Sequence, residues 1–472
     1  MKRCFLIGLC LVLVALVGGT AARAAAPPRP LLVGFEDEPS FLWSSDRLGR
    51  VAGASEAGAN VIRVIANWST LAPSRPGSPA NPADPAYQFN GLDDLVWQAQ
   101  QRGMRVLLTV WGTPSWASST HKPNAAPAPA TLGSFCSALA SRYSGHFRGQ
   151  PPVTLFSVWN EPNLNQFLAP QYDARGRDVA PRLYAAMVRS CYSAIKRANP
   201  KAVVAAGDTS PRGTDHARRG IQASHSPGRF AQLVAAQRPR VRFDAWAHHP
   251  YGVGFTGRAT VPFRWPNVGV ADLPSLETHL KRWFRLRSVP LWITEFAYQT
   301  SPERIGALSY AGQASYLNDA FLRAAAVPQV QMFIWFVFRD TPDQRWQSGL
   351  YRADSTPKPA LATWKQIIAP YSVDNPTLVV AARSNPTVPL GLVVLQAHRL
   401  PSDPPLGVTY RVYDSAGALV IGNQTRVTLD AAGTASIPLT FSPTAGGRYR
   451  VELVVNDIHG TAVYRTATLV SS

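Results

Sequence analysis

Long apolar runs, lysine and repetitive pattern are what this 472-residue sequence has least of. Beyond residue 26 no stretch reaches the roughly 18 uninterrupted apolar residues of a spanning helix, so no membrane span is expected. No collagen, coiled-coil or solenoid period is present. Only 7 of the 47 basic residues are Lys, and the Arg residues are scattered without a sustained basic run or a nucleic-acid signature. The net charge of +19 therefore reads as a solvated, Arg-rich surface, and no nucleic-acid partner is expected. What the chain does have is 46% hydrophobic residues with 13 Trp, 15 Tyr and 19 Phe, a composition that must fold.

Residues 1–26 stand apart. Lys2 and Arg3 precede an apolar stretch over 5–17, followed by small residues with Ala22-Arg23-Ala24 and Ala24-Ala25-Ala26 as cleavage candidates. This pattern predicts a secretory signal peptide, and with it a secreted, extracellular or cell-envelope protein. Cleavage would remove two of the four cysteines and leave Cys136 and Cys191, both in segments that read as amphipathic helices. An oxidising compartment permits a disulfide between them, which would close a 55-residue loop and restrict the unfolded chain by roughly 4 kcal/mol. Two buried free thiols are the alternative.

From 27 to 371 short apolar runs alternate with longer helical patterns. The runs cover 31–35, 61–66, 105–111, 153–159, 202–207, 243–249, 290–296 and 330–337. Continuous apolar runs of this length suit parallel strands buried on both faces. Helical patterns fall at 92–102, 131–143, 181–198, 273–287 (with Asp272 as its N-cap) and 310–326. Eight strand–helix units predict an α/β fold, a (β/α)8 barrel with enlarged loops. A doubly wound sheet is the alternative, but no glycine-rich phosphate loop follows the first strand.

Residues 372–472 change texture. Val/Thr-rich alternating segments at 377–382, 392–395, 407–413, 425–429, 449–456 and 463–470 are separated by Gly, Asn, Asp and Pro, which predicts an all-β, immunoglobulin-like sandwich. This part contains no Cys and no Trp, and the missing Trp argues against a carbohydrate-binding role for it.

In a (β/α)8 barrel chemistry collects at the carboxyl ends of the strands. Two glutamates occupy such places: Glu161 in Trp159-Asn160-Glu161-Pro162-Asn163 after the fourth run, and Glu295 in Thr294-Glu295-Phe296 closing the seventh. A carboxylate ending an apolar strand is costly to bury without a role. Two of them across one cleft suit glycosidic bond hydrolysis, one protonating the leaving oxygen and the other attacking the anomeric carbon. On these residues the stretch 31–371 resembles the clan A retaining glycoside hydrolases, families 39 and 5 in particular. The resemblance implies Glu161 as acid/base and Glu295 as nucleophile, with their carboxyl groups about 5 to 5.5 Å apart.

The resemblance extends to substrate-binding positions. Arg63 matches the arginine that supports the nucleophile, and Asn160 the asparagine that bonds the sugar 2-hydroxyl. His249-Pro250-Tyr251 matches a His-x-Tyr pair whose tyrosine bonds the nucleophile, while Trp335 matches the aromatic platform under the reacting sugar. Gly112-Thr113-Pro114-Ser115-Trp116 is nearer family 39 than family 5. Core packing is the competing role for Trp335, and Trp111, Trp116 and Trp159 divide between sugar platform and packing. His248 and His249 have no third ligand at diagnostic spacing, so no metal is expected, and no cofactor. Glu36, Asp37 and Glu38 read as sugar-hydroxyl acceptors or solvated loop charges; Asp208, Arg339 and Asp340 are further loop candidates. The expected protein is a monomeric hydrolase of a polysaccharide or oligosaccharide; a transglycosylase and a catalytically silent carbohydrate-binding envelope protein are the rivals.

Overall fold

The computed structural model describes residues 31–472 except 218–221, 303–305, 343–345, 369–370, 372–376, 391–404, 429–434 and 457–461. The expected signal segment and the whole of the run 392–395 lie outside the described residues.

Eight strands close into a barrel: β1 (Leu32–Glu36), β2 (Val61–Asn67), β3 (Arg105–Trp111), β4 (Leu155–Val158), β5 (Val203–Thr209), β6 (Ala245–His248), β7 (Leu291–Phe296) and β8 (Val330–Phe336). Every neighbouring pair is parallel, and β1 pairs with both β2 and β8 to complete the circle. The helices between them are α1 (Arg47–Glu56), α2 (Asn90–Gln101), α3 (Pro129–Arg142), α4 (Ala180–Ala198), α5 (Pro227–Ala235), α6 (Leu273–Phe284) and α7 (Tyr310–Ala326), with α8 (Pro359–Ile368) following β8. Helix α6 ends three residues before the sequence pattern does, because Arg285 turns left-handed at φ 55°. Asp272 stands at its N-cap, but its carboxylate accepts instead from the backbone N–H groups of Phe263 and Gly269.

Strand alternation sorts the side chains into two apolar cores. Val61, Leu107, Leu155, Ala205, Ala245, Ala247, Trp292, Met332 and Ile334 fill the inside of the barrel. Their sequence neighbours, among them Ile62, Leu108, Phe156, Val204, Trp246, Ile293 and Phe333, pack outward against the helices. A two-residue period on a closed parallel sheet produces this division. One step nearer the carboxyl ends, the inward positions change from apolar to polar: Glu36, Arg63, Thr109 and Ser157.

After the barrel, a five-stranded sheet runs in the order β9 (Thr377–Val380), β15 (Ala462–Ser471), β14 (Arg448–Asn456), β11 (Leu406–Tyr413), β12 (Leu419–Val427). A second sheet pairs β10 (Thr387–Leu390) with β13 (Ala435–Pro438). Both sheets feed one core, in which Leu406, Val408, Tyr410 and Val412 alternate inward from β11 and meet Val388, Ile437, Val451 and Leu453. The C-terminal part thus has its own apolar centre, as the sequence texture implies.

Cys136 on α3 and Cys191 on α4 are fully buried and joined in a disulfide, with Cα atoms 5.3 Å apart. Of the two sequence readings, the bridge is the one found. Peptide mapping of unreduced protein should leave both residues unalkylated, and replacing both by Ala should lower the free energy of unfolding in urea by roughly 2 to 4 kcal/mol. A double variant as stable as the parent would show that the bridge contributes nothing to the barrel.

Candidate active site

The polar layer at the carboxyl ends of the strands is organised around Arg63. Strand β2 turns this residue inward, where it is fully buried. Its Nη1 donates to Glu295 Oε1 at 2.9 Å and to Glu36, its Nη2 to Asn160 Oδ1 at 2.8 Å, and its Nε to Thr109 Oγ1 at 3.0 Å. Asp208 Oδ2 lies 3.6 Å from Nη2. Four of the five guanidinium N–H groups donate in this fork and the charge also faces Asp208, which suits Arg and would not suit Lys. Of the two roles read for Glu36, sugar-hydroxyl acceptor or solvated loop charge, the second does not hold. Glu36 is 2% exposed and paired to Arg63, and burial pushes its pKa well above the usual carboxylate range while Arg63 opposes the rise.

Backbone irregularities aim the carboxylates. Between the pairs Phe333↔Ile293 and Trp335↔Phe296, β7 has one residue more than β8. This bulge re-aims Glu295 into the mouth although strict alternation would turn it toward the helices. After β4, Trp159 and Glu161 both take left-handed backbone (φ 71° and 37°), and the Glu161 N–H donates to the Asp208 carbonyl at 2.9 Å. Strain at non-glycine residues flanking Asn160 is the kind found where function dictates geometry.

The two glutamates meet across His249. Its Nδ1 is 3.1 Å from Glu161 Oε1 and 3.5 Å from Glu295 Oε2. One oxygen of each glutamate and a His249 ring nitrogen all lie within 4.8 Å of one another. Tyr251 Oη donates to Glu295 Oε2 at 3.1 Å. Side chains of Glu161 and Glu295 keep 12% and 11% of their surface, against none for Arg63 and Asp208, so the two glutamates are the carboxylates of this group that a bound molecule can reach. Burial raises the pKa of Glu161, and the hydrogen bond and charge of His249 oppose that rise. Burial would lower the pKa of His249, but Glu295, Asp208 and Glu161 outweigh it and raise the value to about 9. His248 is different: burial drops its pKa to about 3, and it bonds Thr209 and the Val268 carbonyl.

Beside Asn160 opens a cavity of about 440 Å³, bounded by Trp111, Phe167, Trp43, Glu38, Asn67 and Gln88 among others. Trp111 is held there by its Nε1–H bond to the Phe167 carbonyl. Trp159 and Trp116 instead pack, the first fully buried and bonded to the same carbonyl, the second against Trp68. Asp37 is likewise structural, accepting from Ser40 and from the Arg339 N–H, and Asp340 pairs with buried Lys358. Trp335 does not reach the mouth. Met332 and Ile334 point into the barrel, so Trp335 falls on the outer face, fully buried, with its Nε1–H on the Ser348 carbonyl. The neighbouring Phe336, half-buried and against Trp346, takes the inward place, and Trp346 in turn touches Tyr251.

The raised value of His249 has a consequence for stability. A group whose folded pKa lies above its ordinary value of about 6.5 stabilises the fold fully below that pH and loses the contribution as pH rises through about 9. Thermal unfolding should therefore shift to lower temperature between about pH 6.5 and 9, and His249→Asn should flatten that fall. The same slope in the variant would place its origin elsewhere.

A family model described as Cellulase (glycosyl hydrolase family 5) matches residues 44–335. Among solved structures, a monomeric beta-xylosidase from Caulobacter crescentus CB15 shares 17% identity over 89% of this chain and 96% of that one, with a TM-score of 0.50. GH5_18 from Streptomyces cattleya, solved in complex with GlcNAc, shares 17% identity over 76% and 85%, with a TM-score of 0.51. At such identities the likeness is one of fold. No curated protein matches the sequence. With most of the barrel inside the matched region, the chain belongs to the cellulase family, glycosyl hydrolase family 5.

Proposed function

We propose that this glycoside hydrolase is exported and cleaves its substrate with retention of configuration, Glu295 acting as nucleophile and Glu161 as acid/base. The observation that carries the reading is the separation of the two carboxylates. Their nearest oxygens lie within 4.8 Å. Inverting enzymes need roughly 6.5 to 9.5 Å between carboxyl groups to fit a water molecule, whereas direct attack needs only about 5 to 5.5 Å.

The first step joins a Glu295 oxygen to the anomeric carbon while the glycosidic C–O bond breaks and the Glu161 proton passes to the leaving oxygen. In the second, Glu161 takes a proton from water, whose oxygen attacks the same carbon and releases Glu295. Burial that raises the pKa of Glu161 favours the protonated form the first step requires. Arg63 and Tyr251 hold the two Glu295 oxygens from different directions and so fix the line of attack. Asn160 gives its carbonyl oxygen to Arg63, which leaves its NH₂ group for a sugar hydroxyl.

The cavity beside Asn160 is large enough for a sugar unit adjoining the cleavage point, and Glu38 is the one charged residue among those that bound it. An uncharged oligosaccharide or polysaccharide fits this lining better than a uronic acid polymer. Export is supported by the apolar N-terminal segment and by the disulfide, which persists in oxidising compartments.

Paired variants separate the roles. Glu295→Ala should abolish turnover, and azide should restore part of it with inverted product. Glu161→Ala should lose about 10²-fold or more on alkyl glycosides and far less on dinitrophenyl glycosides, whose leaving groups need little protonation. Equal losses on both substrates, or near-normal turnover by Glu295→Ala, would contradict the assignment. Glycan affinity without release of reducing ends from the parent protein would favour a silent binding protein.

A further inference from the structure

Asp208 is a fully buried carboxylate to which the two-glutamate mechanism gives no task. It is there by a deliberate irregularity. The pairing runs Gly207↔Ala247 and then Thr209↔His248, so Asp208 is an extra, unpaired residue of β5. Its backbone is left-handed at φ 48°, and the preceding Gly207, at φ 100°, has no room for a side chain, since a Cβ there would sit 2.4 Å from the Ala247 carbonyl oxygen. A bulge of this kind re-aims a side chain, here into the same polar layer that the β7 bulge opens to Glu295.

The contacts of Asp208 reach both halves of the catalytic pair. Oδ2 accepts from Ser157 Oγ and faces Arg63 Nη2 at 3.6 Å; Oδ1 accepts from Thr294 Oγ1 and faces His249 Nε2 at 3.4 Å. The carbonyl accepts from the N–H of Glu161 itself. Arg63 holds Glu295, and His249 holds Glu161. Nε2 of His249 is buried and, among the described residues, makes no hydrogen bond, so Asp208 at 3.4 Å is the anion placed for it.

Charge balance explains why a third acid is tolerated. Burying an ion costs several kcal/mol unless it is paired. Arg63 already has Glu36 and Glu295, so Asp208 is surplus as a mere counter-ion for the guanidinium. It is not surplus if His249 is an imidazolium. We propose that Asp208 is a positioning residue of this enzyme: from the β5 bulge it keeps His249 protonated and seated between Glu161 and Glu295, and locks Arg63 in register with them. The electrostatics agree, since burial would raise the pKa of Asp208 yet Arg63 and His249 bring it below the usual carboxylate range. The ionisable groups facing His249 are Glu161, Asp208 and Glu295, with Arg63, Glu36, Tyr251 and the adjacent His248 in the surrounding layer.

The proposal rests on the reading of Glu161 and Glu295 as the reacting pair, and the test keeps the two apart. In full-length protein with ¹⁵N-labelled histidine, long-range proton–nitrogen NMR reports the protonation of His249, assigned by the loss of its signal in His249→Gln. The parent His249 should stay doubly protonated through pH 7. Asp208→Asn should lower its midpoint by about one pH unit or more, and reduce kcat on alkyl glycosides about tenfold or more with KM changed by less than about threefold. If Asp208→Asn does not fold, Ser157→Ala and Thr294→Val, which free Asp208 from its tethers, should shift the midpoint in the same direction. An unchanged midpoint in a folded variant, or a parent His249 that is neutral at pH 7, would overturn the proposal. The NMR arm needs no turnover, so a protein without glycosidase activity would sink the reading of the two glutamates while the His249 titration still decides the role of Asp208.

Discussion

One buried guanidinium determines the arrangement of this barrel mouth. Arg63 sits where strand β2 passes from the apolar interior to the open end, with no exposed surface. A cation in that position is tolerable only if every donor finds an acceptor and its charge is met. Glu36, Thr109, Asn160, Asp208 and Glu295 supply those partners from five different strands or strand ends. The requirement that keeps Arg63 folded is thus the one that brings Glu295 and Asn160 to fixed places. Stability and the geometry proposed for catalysis rest on the same set of contacts.

The excess of carboxylates over guanidinium gives the site its second property. Glu36, Asp208, Glu161 and Glu295 share one Arg and one His, so not all of them can be charged at once without strong repulsion. Burial raises the pKa of Glu36 and of Glu161, and the surrounding carboxylates raise that of His249, so the layer favours bound protons. The proposed double displacement needs this condition: a carboxylic acid beside a carboxylate, a few ångströms apart, at a pH where both would ionise in water.

The barrel was legible because buried parallel strands leave continuous apolar runs, and all eight runs coincide with strands. Glu161 and Glu295 were legible for the converse reason, being charges where such runs end. Asp208 and Glu36 were harder. Both follow apolar runs as the two glutamates do, but a bulge leaves no mark in composition, and a carboxylate destined for an arginine looks like one destined for water. Trp335 takes the packing role on parity: Met332 and Ile334 face inward, so an odd-numbered neighbour must face the helices, and the aromatic in the inward place is Phe336. Helices without a distinct sequence pattern, such as α1 and α5, are short, at ten and nine residues, and show little more than two turns of a period.

The account depends most on two carboxylates acting on one anomeric carbon in succession. Proton NMR of the first product formed from a neutral oligosaccharide or an aryl glycoside, recorded before mutarotation equilibrates the anomers, reads this directly. Double displacement predicts that the initial sugar carries the same anomeric configuration as the bond that was cut. An initial product of opposite configuration would mean that water, not Glu295, makes the first attack, and would contradict the account.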